Sequence, residues 1–262
     1  KIAAAGGGIL HIPTCVGAVA ITYNIPGNPV LRLSPDVIAD IFMGKITRWD
    51  DSRIQEMNRG VKLPALKITV VRRSDSSGTT FIFTDYLSKV SPAWEKAMGR
   101  SKTPEWGSRS IGAAKNAGVA GQVKNIPGAV GYVEVIYALS NDMPVASVKN
   151  ASGNFIVPTL ASVGLAADTN MPDDTRVTIT DTSAAKGYSI SSFTWIILYG
   201  EQHYGKRTIQ DAEETISLLW WMIHDGQRYN EALKYGKLSA EAVKKAEKVL
   251  RSVTYNGKPV MK

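Results

Sequence analysis

Arg73, Asp75, Ser77, Gly78 and Thr79 fall within seven residues, in the stretch VVRRSDSSGTTFIF at 70–83. A guanidinium, a carboxylate, hydroxyls and a glycine at this spacing suit the holding of an oxyanion. Arg73 offers a planar fork of N–H donors matched to two oxygens of a phosphate or carboxylate. Where a strand turns into a helix, the first backbone N–H groups of the helix lack internal partners and carry the positive end of its dipole. Ser77, Gly78 and Thr79 would there aim N–H and hydroxyl donors at one point. Gly78 would let a ligand approach the backbone with no Cβ in the way. Asp75, two residues beyond Arg73, either sets the orientation of that arginine or caps the helix.

The flanking pattern supplies that strand and helix. ALKITVVRR alternates and then runs apolar, as in a strand buried on both faces of an α/β sheet, and Phe81, Ile82, Tyr86, Leu87 and Val90 then recur at helical spacing. Upstream, VGAVAITY at 16–23 reads as a strand stopped by NIPGNP. SPDVIADIFMG reads as a helix with Ser34 as cap, Pro35 in the first turn, Val37, Ile38, Ile41 and Phe42 on one face and Gly44 at its end. KNIPGAVGYVEVIYAL and YSISSFTWIILYG supply further strands. TIQDAEETISLLWWMIHDG is a helix with Gly226 as C-cap candidate, and SAEAVKKAEKVLRSV is a second. The mixture predicts an α/β protein.

Composition narrows the function classes. The 262 residues suffice for a sizeable core, and the formal charge of +8, from 31 Lys and Arg against 23 Asp and Glu, favours anionic ligands. The basic residues are scattered, and no RNA-binding aromatic motif or zinc-finger spacing occurs, so nucleic acid is not an expected partner. Cys15 stands alone in the apolar PTCVGAVAI, which predicts a buried, inert thiol and neither a disulfide nor a cysteine metal site. His11, His203 and His224 are dispersed, so no metal, cofactor or catalytic residue is expected. There is no G-x-x-x-x-G-K-[ST], and no G-x-S-x-G surrounds Ser77. The longest apolar runs fall short of the roughly 18 residues of a membrane span. The chain opens KIAAAGGGILHIP, without Met or an adequate apolar leader, so a processed or truncated chain is expected.

Five ordered motifs, VGAVAITYNIPG, DIFMGKITRWDD, LKITVVRRSDSSGTT, the overlapping VVRRSDSSGTTFIFTDYL and IPGAVGYVEVIYA, resemble the periplasmic phosphate-binding proteins of phosphate ABC transporters. The similarity runs in register from Lys1 to NGKPVM near the C-terminus. The resemblance implies a two-domain periplasmic-binding-protein (type II) fold with hinge-crossing strands closing over one phosphate. It implies that Arg73, Ser77, Gly78 and Thr79 bind phosphate while Asp75 pairs with Arg73. It also implies a periplasmic, cell-envelope or extracellular location and delivery of phosphate to ABC transporter membrane subunits, with no catalysis.

The family's opening β-α-β segment, with a Thr-Phe turn, a serine and a proton-accepting aspartate, resembles nothing in this chain. The expectation is therefore an incomplete first domain, residues 1–20 and 190–262, and a second domain, residues 21–189. A separate N-terminal chain completing the first domain is an expected partner. Two other classes stand beside this one: a phosphate-ester hydrolase, which needs a base or metal that the stretch lacks, and a structural or interaction protein that keeps the fold but has lost high-affinity phosphate binding.

Overall fold

A computed structural model describes residues 8–108 and 110–261. The chain divides into two compact units: one of Lys1–Val16, Ala167–Thr178 and Phe193–Lys262, the other of Gly17–Ala166 and Ile179–Ser192. The segment 167–178, expected with the second domain, groups with the terminal unit.

The central unit begins within strand β1 (Ile9–Tyr23), continues through β2 (Arg32–Leu33), helices α1 (Pro35–Phe42) and α2 (Ser52–Met57), β3 (Thr69–Arg73), α3 (Gly78–Val90) and α4 (Pro92–Ala97), then β4 (Ser110–Ala113), α5 (Lys115–Asn125), β5 (Ala129–Glu134), α6 (Val135–Ser140), β6 (Ser147–Lys149), β7 (Phe155–Ile156) and α7 (Leu160–Ala166). The terminal unit carries most of β8 (Ser191–Tyr199), with α8 (Ile209–Ile223), α9 (Ala240–Arg251) and the short pair β9 (Thr254–Tyr255) and β10 (Lys258–Pro259). The α/β class expected from the alternating pattern is what the elements form.

The main sheet has the order β4-β3-β5-β1-β8. Within the central unit, β3 runs parallel to β4 and β5, and β5 pairs antiparallel with β1 through Val19–Tyr23. Strands flanked on both edges and covered on both faces must be apolar along their length, and β5 is buried from Ala129 to Val133. Gly131 lets α5 approach this strand closely, since a Cβ there would meet the side chains of Val119 and Val123 at 3.0 and 2.9 Å.

β1 starts at Ile9, seven residues before the expected strand, because HIPTC is extended too and Val16 exchanges backbone hydrogen bonds with Gly236. Cys15 on this strand is half-buried rather than enclosed.

Helix α3 starts at Gly78, and of the residues expected at helical spacing Tyr86 and Leu87 lie on its buried face. Thr80, Phe83, Thr84, Asp85, Tyr86 and Leu87 are enclosed, whereas Phe81, Ile82 and Val90 are only partly covered. Phe83 sets this phase by stacking on Tyr132 of β5 at 4.4 Å and packing edge-on against Phe42 at 4.7 Å. Asp85 is tolerated inside because Thr180 donates to it at 2.5 Å and Arg100 and Lys89 approach at 3.3 and 3.4 Å.

In the terminal unit, α8 begins with a capping box. Thr208 accepts from Asp211 N–H, and the Asp211 carboxylate accepts from Thr208 N–H. The helix ends at Ile223, earlier than the Gly226 stop expected, and the chain continues as a 3-10 turn over Asp225–Tyr229. Trp220 packs on His224 and under Arg251, which accords with a packing role for this tryptophan.

Candidate functional site

All five residues of the 73–79 constellation lie in the central unit, where β3 gives way to α3. In parallel α/β sheets the carboxyl ends of the strands are where ligands are held. β5 pairs with β3 only as far as Val71, so Arg73 extends beyond that pairing, and its backbone N–H donates to the Tyr132 hydroxyl at 3.3 Å.

The two arginines separate as alternation along a strand requires. Arg72 turns to β4, donating to Ser110 Oγ at 3.3 Å and to the carbonyl of Arg73 at 3.2 Å. Arg73 turns to α3 and α5, its side chain only 9% exposed. Its Nε and Nη2 donate to the two oxygens of Asp75 at 2.8 and 2.6 Å, and Nη1 donates to Asn116 Oδ1 at 3.4 Å. A guanidinium has five N–H groups, so one remains on each terminal nitrogen.

Of the two roles open to Asp75 in the sequence, the structure gives it the first: it holds Arg73. The cap of α3 is instead Ser77, whose Oγ accepts from Thr80 N–H at 3.2 Å. Asp75 also accepts from the backbone N–H of Lys115, at 3.1 Å, at the start of α5. The Arg73 guanidinium first, and that N–H second, hold the Asp75 carboxyl well below the usual carboxylate range.

At the helix start the expected convergence of donors is modified. The Ser77 N–H is committed to the carbonyl of Lys102 at 3.2 Å, so it does not join the others. The N–H groups of Gly78 and Thr79 have no hydrogen-bond partner among the described residues. Gly78 is exposed, and a Cβ built on it meets nothing within 4 Å.

Asn116 and Tyr132 complete the surroundings and were not singled out by the sequence pattern. Asn116, 8% exposed, donates from Nδ2 to Thr79 Oγ1 at 3.4 Å and accepts from Glu134 N–H at 3.3 Å. The Tyr132 hydroxyl meets Thr80 Oγ1 at 2.7 Å, and burial pushes its phenol up, keeping it neutral. The arrangement is rich in donors, and the one carboxylate in it is occupied by Arg73 and Lys115.

The model of the PBP (periplasmic-binding-protein) superfamily domain matches residues 1–224. Phosphate-binding protein PstS of Methanocaldococcus jannaschii is 38% identical over 245 residues, covering 87% of this chain and 63% of that protein. PstS of Xylella fastidiosa is 35% identical over 250 residues, covering 92% and 66%, and PstS of Pasteurella multocida is 34% identical, covering 91% and 70%. The chain thus spans about two thirds of the length of these relatives. It belongs to the family of the PstS phosphate-binding proteins.

Among solved structures, a high affinity periplasmic phosphate-binding protein bound with phosphate superposes with a TM-score of 0.72 at 21% identity, covering 92% of this chain and 71% of that one. A phosphate-binding protein from Stenotrophomonas maltophilia gives 0.71 at 21% identity, covering 92% and 70%. The fold is the type II periplasmic-binding-protein fold.

Proposed function

We propose that this chain captures inorganic phosphate at the β3–α3 turn and delivers it to the membrane subunits of an ABC transporter, from the periplasm, the cell envelope or outside the cell. Arg73 contributes its remaining N–H on each terminal nitrogen, Gly78 and Thr79 their backbone N–H groups, and Ser77 and Thr79 their hydroxyls, while Asp75 fixes Arg73. The observation that carries the reading is the meeting, at one helix start, of unpartnered N–H groups and a buried arginine already braced for a second planar contact. The naming of the relatives as phosphate-binding proteins supports it.

Binding without turnover is part of the proposal. Ser77 Oγ serves as a helix cap and Thr79 Oγ1 as an acceptor, so neither hydroxyl is arranged as a nucleophile beside a base. The central test is calorimetric titration of the chain with phosphate, beside Arg73→Ala. Saturable binding lost in the variant is expected. An absence of binding in the unaltered chain favours the reading as a structural or interaction protein.

A further inference from the structure

We infer that Asn116 is a positioning residue of this oxyanion site, acting by aiming the Thr79 hydroxyl. The inference rests on the phosphate reading of the same turn. Asn116 Oδ1 accepts from two donors, Arg73 Nη1 at 3.4 Å and Glu134 N–H at 3.3 Å. Those donors fix which end of the amide is oxygen, because a flipped amide would set its NH2 against two N–H groups. Nδ2 therefore faces Thr79 Oγ1, at 3.4 Å, and must donate to it. A hydroxyl that accepts from an amide has its own hydrogen left to give away. The Thr79 O–H is thereby directed to an outside acceptor, beside the free Gly78 and Thr79 N–H groups.

The backbone supports this placement. Lys115 adopts φ +58, an uncommon conformation for a residue with a side chain, and its N–H is held by Asp75. That turn sets Asn116 in the first turn of α5, with its amide between Arg73 and Thr79, residues from the two sides of the β3–α3 turn. Both separations, at 3.4 Å, lie at the long end of hydrogen-bond distances.

A double-mutant cycle in the full chain tests the inference, with inorganic phosphate as the probe. Asn116→Ala and Thr79→Val should each weaken binding by about 10- to 100-fold, the range of one hydrogen bond to a charged group. The double variant should lose no more than the worse single one. Asn116→Asp, which keeps the shape but takes the Thr79 hydrogen for itself, should lose more than Asn116→Ala. Additive losses, or an Asn116→Asp variant that binds like the parent, overturn the inference. A measurement without ligand separates it from the phosphate reading: hydrogen exchange of the Asn116 side-chain amide, followed by NMR, should accelerate in Thr79→Val. Unchanged exchange overturns the role of Asn116 even where phosphate binds, and a chain that binds no phosphate overturns the reading of the site while the exchange result still decides the Asn116–Thr79 contact.

Discussion

Arg73 and Asp75 face each other through two parallel hydrogen bonds, Nε to Oδ1 at 2.8 Å and Nη2 to Oδ2 at 2.6 Å. This side-on pairing, with the Nη1 bond to Asn116, leaves one N–H on each terminal nitrogen of Arg73. Arg72 is one residue away and has no such carboxylate brace: its Nε and Nη1 donate to Ser110 of β4 and to the Arg73 carbonyl, away from α3. Arg73→Ala should therefore weaken phosphate binding by at least about tenfold, the loss of a charge-assisted contact, and far more than Arg72→Ala. Titration calorimetry on both variants checks this, and equal losses would remove Arg73 from the site.

The depressed carboxyl of Asp75 has a stability consequence of defined sign. A carboxylate whose folded pKa lies below its unfolded value of about 3.9 stabilises the folded state above that pH, and the contribution is lost as pH falls toward the folded value. Asp75→Asn should be less stable than the parent at pH 7, and the gap should narrow progressively below about pH 4. Urea unfolding of both proteins from pH 7 to pH 2 measures it. A gap that stays constant over this range would mean that the ionised form of Asp75 is not what the fold uses.

Gly78 separates folding from binding. Its φ is not in the left-handed region, and beyond its chain neighbours and its own helix backbone nothing lies within 4 Å of a Cβ placed on it. Gly78→Val should leave the melting curve and the far-ultraviolet circular dichroism close to those of the parent, yet abolish phosphate binding by setting a branched side chain beside the free N–H groups, where the anion must approach the backbone. Retained affinity would place the anion elsewhere.

What the sequence disclosed follows the range of the interactions. The β3–α3 turn was legible because its parts are neighbours: Arg73 and Asp75 are two residues apart, and the apolar run and the hydroxyls around Gly78 announce strand and helix locally. Asn116 and Tyr132 are 43 and 59 residues from Arg73, set in KNAG and GYVEV, where nothing local distinguishes them. Tyr86 and Leu87 on the buried face of α3 were legible, but Phe83 was missed for the same reason, since its stack on Tyr132 is a tertiary contact. Helix caps show the limit even at short range. Ser34 stands at the N-cap of α1 without a side-chain bond, whereas Thr208 forms a complete box on α8.

That difference between caps is measurable. Thr208→Ala should cost about 1 kcal/mol of unfolding free energy, while Ser34→Ala should be nearly neutral. Denaturant melts of the two variants decide it, and a large loss at Ser34 would contradict the uncapped geometry there.

The last prediction concerns which anions the turn accepts. At neutral pH phosphate retains a proton and sulfate does not, so a site rejects sulfate by presenting an acceptor that finds no proton to meet. The groups gathered at the turn are donors: the Gly78 and Thr79 N–H groups, the Ser77 and Thr79 hydroxyls, and the open edge of Arg73. Asp75 is the one carboxylate among them, and its oxygens accept from Arg73 and from Lys115 N–H. With its proton affinity depressed by those bonds, it is a poor acceptor for the proton of phosphate. Such a set treats the oxygens of phosphate and sulfate alike, so the chain should bind both within about tenfold of each other, a difference of about 1.4 kcal/mol. Competition titration of phosphate-loaded chain with sulfate at pH 7 measures the ratio. A preference for phosphate of several orders of magnitude would require an acceptor beyond these residues to reach the anion, and would overturn the assignment of selectivity to this turn alone.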